Sequence, residues 1–313
     1  MRNTWLNTLF KIANKNKKVV FIGSDLGANV MNNFKKKFPK RFFMEGISEQ
    51  NIIGTAAGMA LRGFIPYVNT IATFLTRRSF EQNVIDLSLH NLSVRLVGNG
   101  GGLVYGPLGP THQAIEDISI MTSIPNMSVF AVSDKNEMQQ LILQSQNWKG
   151  PMYIRLGRGN EKVISKGKTF KIGDLVTYFK PEKYTIFSTG SLTQESMKSV
   201  IYLKNKGLNI GLIHAPSLKP LNLKKIKAKL KNVNYIFSIE EHISKGGLGS
   251  ILLDKINDLN IKKKIQIYKI CLPDKFNSKY GSHDELISYY GLNSMSISKY
   301  ILKKIKINEK KKT

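Results

Sequence analysis

Short apolar runs bounded by glycine or polar turns alternate along the chain with longer segments whose apolar residues recur at helical spacing. This is the pattern of parallel strands joined by crossover helices. Strands are predicted at Val19–Ile22, Ile65–Val68, Val94–Val97, Ser128–Ala131 and Tyr153–Arg155, with helices near 52–61, 80–89, 114–122 and 135–144. The stretch from Gly159 to Lys168 is polar and loses periodicity, as a linker or edge segment does. Beyond it, strands are predicted at Tyr184–Ser188, Ile210–Ile213, Tyr235–Ile239 and Ile265–Ile270, separated by helices over 193–205, 223–231 and 248–256. The expected fold is α/β in two domains, residues 1–170 and a smaller domain over 171–313. Residues 1–18 form a basic amphipathic stretch, expected to be a docking helix rather than a targeting signal.

The length supports this division, because 313 residues exceed the usual size of one hydrophobic core. Apolar residues make up 42% of the chain with no run of transmembrane length, so a soluble, cytoplasmic protein without membrane contact is expected. Cys271 is the sole cysteine, which excludes internal disulfides and cysteine metal clusters. A net charge of +27 raises the question of nucleic acid, but its distribution argues against that partner. Only eight of the 48 basic residues are Arg, all between Arg2 and Arg158, while Lys is spread throughout and fills the C-terminal end. No nucleic-acid-binding motif accompanies them.

Five segments carry candidate chemistry. In Gly46-Ile-Ser-Glu-Gln-Asn51, Ser48 is placed to cap a helix whose first turn holds Glu49, and Gly54, Ala57 and Gly58 would let another helix approach. Glu49 there either complements the helix dipole or serves catalysis. The glycine-dense loop Gly98 to Gln113 follows a buried strand, where open α/β sheets place ligands, and presents His112. It fits neither the dinucleotide nor the NTPase phosphate motif, since Pro107 and Pro110 intervene and no Gly-Lys-Ser/Thr follows. His112 is either structural or a proton carrier. Arg155 and Arg158 flank another strand end, and each is either half of a surface ion pair or a fork for phosphate or carboxylate. Phe74 and Phe80 either join the core or stack on a flat ring. Glu240-Glu-His242 has too few neighbouring ligands for a zinc site, and no metal ligands are assigned.

Taken in order, Gly46-Ile-Ser-Glu-Gln-Asn51, Thr70 to Phe74, Gly109-Pro-Thr-His-Gln113, Arg155 to Asn160 and Glu240-Glu-His242 to Gly249 resemble the transketolase family, including deoxyxylulose-phosphate synthase. The resemblance spans nearly the whole chain and covers that family's pyrimidine-binding and C-terminal domains. It implies that Glu49 hydrogen-bonds the aminopyrimidine of thiamine diphosphate and activates the cofactor. Phe74 would stack on that ring, Asp25 would lie near the cofactor, His112 would contact substrate oxygens and Arg158 would bind a substrate phosphate. The family's Gly-Asp-Gly segment with its later Asn, which hold Mg2+ and the diphosphate, has no counterpart, since Gly173-Asp174-Leu175 lacks the continuation. The resemblance therefore implies a separate N-terminal subunit carrying that half, an α2β2 assembly with shared sites, and transfer of a two-carbon ketol unit between sugar-like substrates.

Two positions depart from the family pattern. Leu108 stands where an aspartate usually contacts a substrate hydroxyl, and Gly100 stands about where a histidine faces the substrate. Standard pentose-phosphate specificity is thus not expected. The competing readings are the β subunit of a 2-oxo acid dehydrogenase and a non-catalytic assembly subunit.

Overall fold

A computed structural model describes residues 1–23, 31–259, 261 and 263–310. The chain opens with α1 (Arg2–Lys15), β1 (Val19–Gly23), α2 (Asn32–Lys37), β2 (Phe42–Met44), α3 (Glu49–Leu61) and β3 (Ile65–Ile71). A wide helical passage follows, with π-type turns at Phe74–Arg78 and Asn83–Leu89 on either side of α4 (Phe80–Gln82). Then come β4 (Arg95–Asn99), α5 (Asp117–Ser123), β5 (Ser128–Ala131), α6 (Lys135–Ser145) and β6 (Met152–Arg155). The remainder comprises β7 (Val176–Phe179), β8 (Tyr184–Ser188), α7 (Thr193–Asn205), β9 (Ile210–His214), β10 (Ser217–Lys219), α8 (Leu223–Lys229), β11 (Tyr235–Ile243), α9 (Leu248–Asp258), β12 (Gln266–Leu272), α10 (His283–Tyr289) and α11 (Ser294–Lys310).

These elements build two sheets, in the orders β10-β5-β6-β4-β3-β1-β2 and β12-β11-β8-β9-β7. All pairings are parallel except those of β10 with β5 and β7 with β9. The expected α/β class with mostly parallel sheets is what forms. Every residue of β1, β4, β5 and β6 is buried, because helices cover both faces. Side chains alternate between faces along each strand. Val20, Ile22, Val68 and Leu96 therefore pack on α3 and α5, while Val19, Phe21, Tyr67 and Val97 pack towards α1, α2 and α6.

Hydrophobic contact also runs between the sheets. The core that holds Val20 and Ile52 continues through Phe187, Ile213, Ile236 and Leu248, and β10 leaves the second half of the chain to pair with β5. A cut near residue 170 falls between β6 and β7, and the chain then returns once to the first sheet.

Several elements differ from expectation for local reasons. The helix predicted from 114 begins at Asp117 because Ala114 bridges to Gly101 and Gly102. The helix predicted over 80–89 begins earlier, at Phe74, and widens into π turns. Strands β2 and β10, of three residues each, are too short to stand out as apolar runs, and β7 (Val-Thr-Tyr-Phe) is only partly buried. The basic N-terminal stretch is a helix, as expected, and buries Trp5, Leu6, Leu9, Ile12 and Ala13 in the chain's own core. No helix among the described residues is long and apolar enough to cross a membrane.

Candidate active site

The carboxyl ends of β3 and β4 face the mouth of the first sheet, where an open parallel sheet leaves a crevice. Glu49 opens α3 at this end and is 3% exposed. Ser48 occupies the N-cap position as expected, but its hydroxyl makes no capping bond, which corrects that part of the expectation. Glu49 instead receives Nη1 of Arg78 on Oε2 at 2.7 Å. The expected close approach to α3 is not made at its glycines among the described residues: a Cβ at Gly54 would stand at ordinary contact distance, 3.9 Å from Asp86, and one at Gly58 would meet nothing.

Phe74 begins the π turn directly after β3 and is half-buried. Its ring meets His112 edge-on with centroids 5.1 Å apart, and the guanidinium of Arg78 lies over it at 4.4 Å. Glu49, Arg78, Phe74 and His112 are thus contiguous. The structure brings three of the predicted site residues to one place, with Phe74 outside the core. His112 Nδ1 is 2.9 Å from the hydroxyl of Thr111, leaving Nε2 without a described partner. Asp25 lies outside the described residues.

Arg77 and Arg78 are not singled out by sequence. Arg77 reaches across to the His112 loop, pairing with Glu116 and donating from Nη2 to the carbonyl of Gln113 at 3.1 Å. It ties the Phe74 turn to the loop that carries His112. The available signal is two scarce arginines closely following Phe74 and Leu75 in a chain that otherwise uses Lys.

The glycine-dense loop requires glycine for its own packing as well as for access. Gly100 has φ +75° and a Cβ there would stand 2.1 Å from the Tyr105 ring; Gly102 has φ +70° and a Cβ would stand 2.3 Å from Glu241. Position 100 therefore cannot carry a histidine in this backbone. Leu108 is exposed on the same loop.

Arg155 is buried rather than part of a surface pair, donating to Asp117 at 2.9 Å and to the carbonyls of Ala114 and Glu241. Arg158 is half-exposed and paired with Asp284. It lines a cleft of about 360 Å³ between the halves of the chain, with Lys198 and His283 on the opposite wall, and none of its described contacts reaches Glu49, Phe74 or His112. The Glu240-Glu-His242 segment is spent on structure. Glu240 accepts the backbone N–H groups of Leu248 and Gly249, His242 Nε2 lies 3.2 Å from the N–H of Ser119, and Glu241 receives Leu103 N–H and meets His283 at 2.9 Å. Burial pushes the Glu240 carboxyl up, with His242 opposing it. Glu241 is also raised by burial, but His283 and Arg155 outweigh this and hold it below the usual range. No group of three or more His, Cys, Asp or Glu among the described residues is placed to hold a metal ion.

A thiamine-type ring can be tested against this geometry. It needs a flat aromatic face beside a buried carboxyl that can share a proton with a ring nitrogen in the plane of the ring. Arg78 already occupies such a place with a flat, donating group, so Glu49 and Phe74 are spaced to receive one.

Residues 1–162 match the transketolase pyrimidine-binding domain and residues 179–297 the transketolase C-terminal domain. A protein of Methanocaldococcus jannaschii provisionally named a transketolase C-terminal section is 33% identical over 98% of this chain and 96% of its own. One of the subunits of the apulose-4-phosphate transketolase of Phocaeicola vulgatus is 28% identical, covering 97% of each. The 1-deoxy-D-xylulose-5-phosphate synthase of Caldanaerobacter subterraneus is 32% identical over 96% of the chain, which spans 48% of that enzyme's length. Among solved structures, a split-gene transketolase described as an inactive β4 tetramer superposes with TM-score 0.86 at 29% identity, covering 96% of each chain. A transketolase of Pichia stipitis shares the fold, with TM-score 0.76 at 18% identity over 46% of its length. The buried glutamate opening α3, the aromatic ring beside it and these end-to-end matches identify the chain as a member of the transketolase family that carries its pyrimidine-binding and C-terminal domains.

Proposed function

We propose that this chain is one subunit of a split, thiamine-diphosphate-dependent transferase that moves a two-carbon ketol unit between sugar-like substrates. The carrying observation is that Arg78 joins the buried carboxyl of Glu49 to the ring of Phe74, which in turn meets His112 at one sheet end. Thiamine diphosphate, when bound, supplies a carbon nucleophile able to attack a ketose carbonyl. Glu49, nearly enclosed at the start of α3, would share a proton with the ring nitrogen of the aminopyrimidine. Phe74 would hold the ring by stacking. His112, with Nε2 unengaged, would exchange a proton with a substrate oxygen. Arg158 would release Asp284 for a substrate phosphate; exposed ion pairs of this kind are weak enough to exchange.

Among the described residues no group of three or more His, Cys, Asp or Glu is placed to hold a diphosphate-bound Mg2+. We assign that half to a separate N-terminal subunit, in an α2β2 assembly with sites at the interface between the two kinds of chain. The relatives named as a transketolase C-terminal section and as one subunit of an apulose-4-phosphate transketolase, matched from end to end, support this reading. Leu108 and Gly100 support a substrate other than the standard pentose phosphates, because one offers no polar contact and the other no side chain.

The test is reconstitution with the N-terminal subunit and a screen of ketose phosphates and pyruvate as donors. Glu49→Ala and Glu49→Gln are expected to abolish transfer while assembly, followed by sedimentation velocity, is retained. Unchanged turnover would support the non-catalytic role, and acylation of a lipoyl domain would support the 2-oxo acid dehydrogenase.

A further inference from the structure

Under the proposed function the aminopyrimidine needs two contacts from this chain, the carboxyl of Glu49 and the face of Phe74. Arg78 makes both. Its Nη1 donates to Glu49 Oε2 at 2.7 Å, and its guanidinium carbon stands 4.4 Å from the centre of the Phe74 ring. A guanidinium is planar, carries its N–H donors in that plane and stacks on aromatic rings. In shape, and in setting an N–H against the Glu49 carboxylate, it resembles an aminopyrimidine protonated on the ring nitrogen that would face Glu49.

We propose that Arg78 is a built-in competitor for the pyrimidine subsite. The cofactor ring and the Arg78 side chain would occupy Glu49 and Phe74 in turn, and Arg78 must swing outward before the ring can seat. This inference rests on the proposed function, since it takes Glu49 and Phe74 as the ring's partners.

The two sides of the ion pair differ in freedom. Glu49 is 3% exposed at the start of α3, whereas the Arg78 side chain is 43% exposed. Arg78 can therefore leave by rotating its own side chain into water, where its charge is solvated, while Glu49 stays in place. The adjacent Arg77 behaves otherwise. It is engaged by Glu116 and by the carbonyls of Pro110 and Gln113, and serves to hold the His112 loop. Among the described residues Arg78 has only Glu49 as a hydrogen-bond partner and Phe74 as a ring partner. Its described contacts are thus confined to the two groups that the ring requires. Ring and guanidinium cannot share them, because Phe74 presents one face to Arg78 and the same Glu49 oxygen lies at its edge.

The experiment titrates thiamine diphosphate with Mg2+ into the reconstituted two-subunit assembly and follows binding by calorimetry. Arg78→Met keeps much of the side-chain volume and removes both guanidinium contacts. It is expected to tighten cofactor binding about 3- to 10-fold, the combined worth of an exposed ion pair and a cation–π contact. Arg78→Lys retains a charge for Glu49 but no flat fork for Phe74, and should fall between Met and the wild type. An unchanged or weaker Kd in assembled Arg78→Met overturns the proposal. Should that variant fail to assemble, Arg78→Gln, uncharged and polar, is read by the same criterion. Glu49→Ala separates the two readings. If it turns over like the wild type, the proposed function fails; if it is inactive while Arg78→Met leaves Kd unchanged, only the competition fails.

Discussion

Arginine is scarce in this chain, and at three buried or partly buried positions its fork gathers several acceptors at once. Arg41 donates to the carbonyls of Ala13, Asn16 and Val19; Arg95 gathers those of Ser145, Trp148 and Gly150; Arg155 combines Asp117 with two more carbonyls. A lysine ammonium on a flexible stem cannot reach such sets, which explains why Arg persists amid so much Lys. Burial pulls the Arg95 guanidinium down to about 10, with Tyr67 opposing that shift, so it remains charged near neutrality. Arg95→Lys, although it conserves charge, should therefore destabilise the fold by about 2 kcal/mol, because buried carbonyls lose their donors. A shifted urea midpoint at unchanged m-value would show it. Arg155→Ala should cost more, about 3 kcal/mol or above, since buried Asp117 loses its ion-pair partner. The carboxylate of Asp117 also receives the hydroxyl of Tyr153 at 2.6 Å, and that bond alone cannot compensate it. By sequence Arg155 could equally form a surface ion pair, and only the strand register places it inside.

At the scale of elements, the loop after β4 is the place where backbone and function meet. Gly100, Gly101 and Gly102 let its backbone pass close against Arg155, Glu241 and the loop's own Tyr105. Gly102→Ala should destabilise by about 2 kcal/mol or more, combining a positive φ with a clash against Glu241. Gly167→Ala is the matched comparison, with φ +72° but no atom within 4 Å of the added Cβ, and should cost only the backbone strain. The difference between the two variants in thermal unfolding measures the clash. The predicted helix at 80–89 shows why spacing alone misplaces a boundary. The turn begins at Phe74 because Ser79 and Asn83 both donate to the carbonyl of Leu75, drawing the chain into wide turns that no apolar period announces.

At the scale of the whole molecule, the two halves are joined by buried polar contacts as well as by a shared core. His283 and Glu241 lie 2.9 Å apart at the junction, beside Leu103 of the glycine loop and Arg155. Burial lowers His283, but Glu241 outweighs it and raises the imidazole overall. Glu241 in turn is held low, against its burial, chiefly by His283. A raised histidine contributes stability that is complete below its unfolded value and lost as pH rises through its folded one. A lowered glutamate contributes stability that is present above its unfolded value and lost as pH falls through its folded one. The clamp is therefore complete between the ordinary values of 4.5 and 6.5. A double-mutant cycle of Glu241→Gln and His283→Gln should give a coupling of about 1–3 kcal/mol in that window. The coupling should decline on alkaline titration as His283 loses its proton; a coupling that instead grows towards pH 9 would contradict this assignment.

The alternation of apolar runs with helical periods was enough to determine an α/β chain with mostly parallel sheets, because strands covered on both faces must be continuously apolar. The motifs around Glu49, Phe74 and His112 named the family, since their order along the chain is itself the signal. Tertiary structure alone decided the rest. Contacts between residues distant in sequence follow from sheet order and crossover packing, which no local pattern encodes. For that reason the structural contacts of Glu240-Glu-His242 and the crossing of β10 to the first sheet appear only in the folded chain. For the same reason Arg78, unremarked in the sequence, came to lie on the carboxyl and ring to which the proposed chemistry assigns the cofactor.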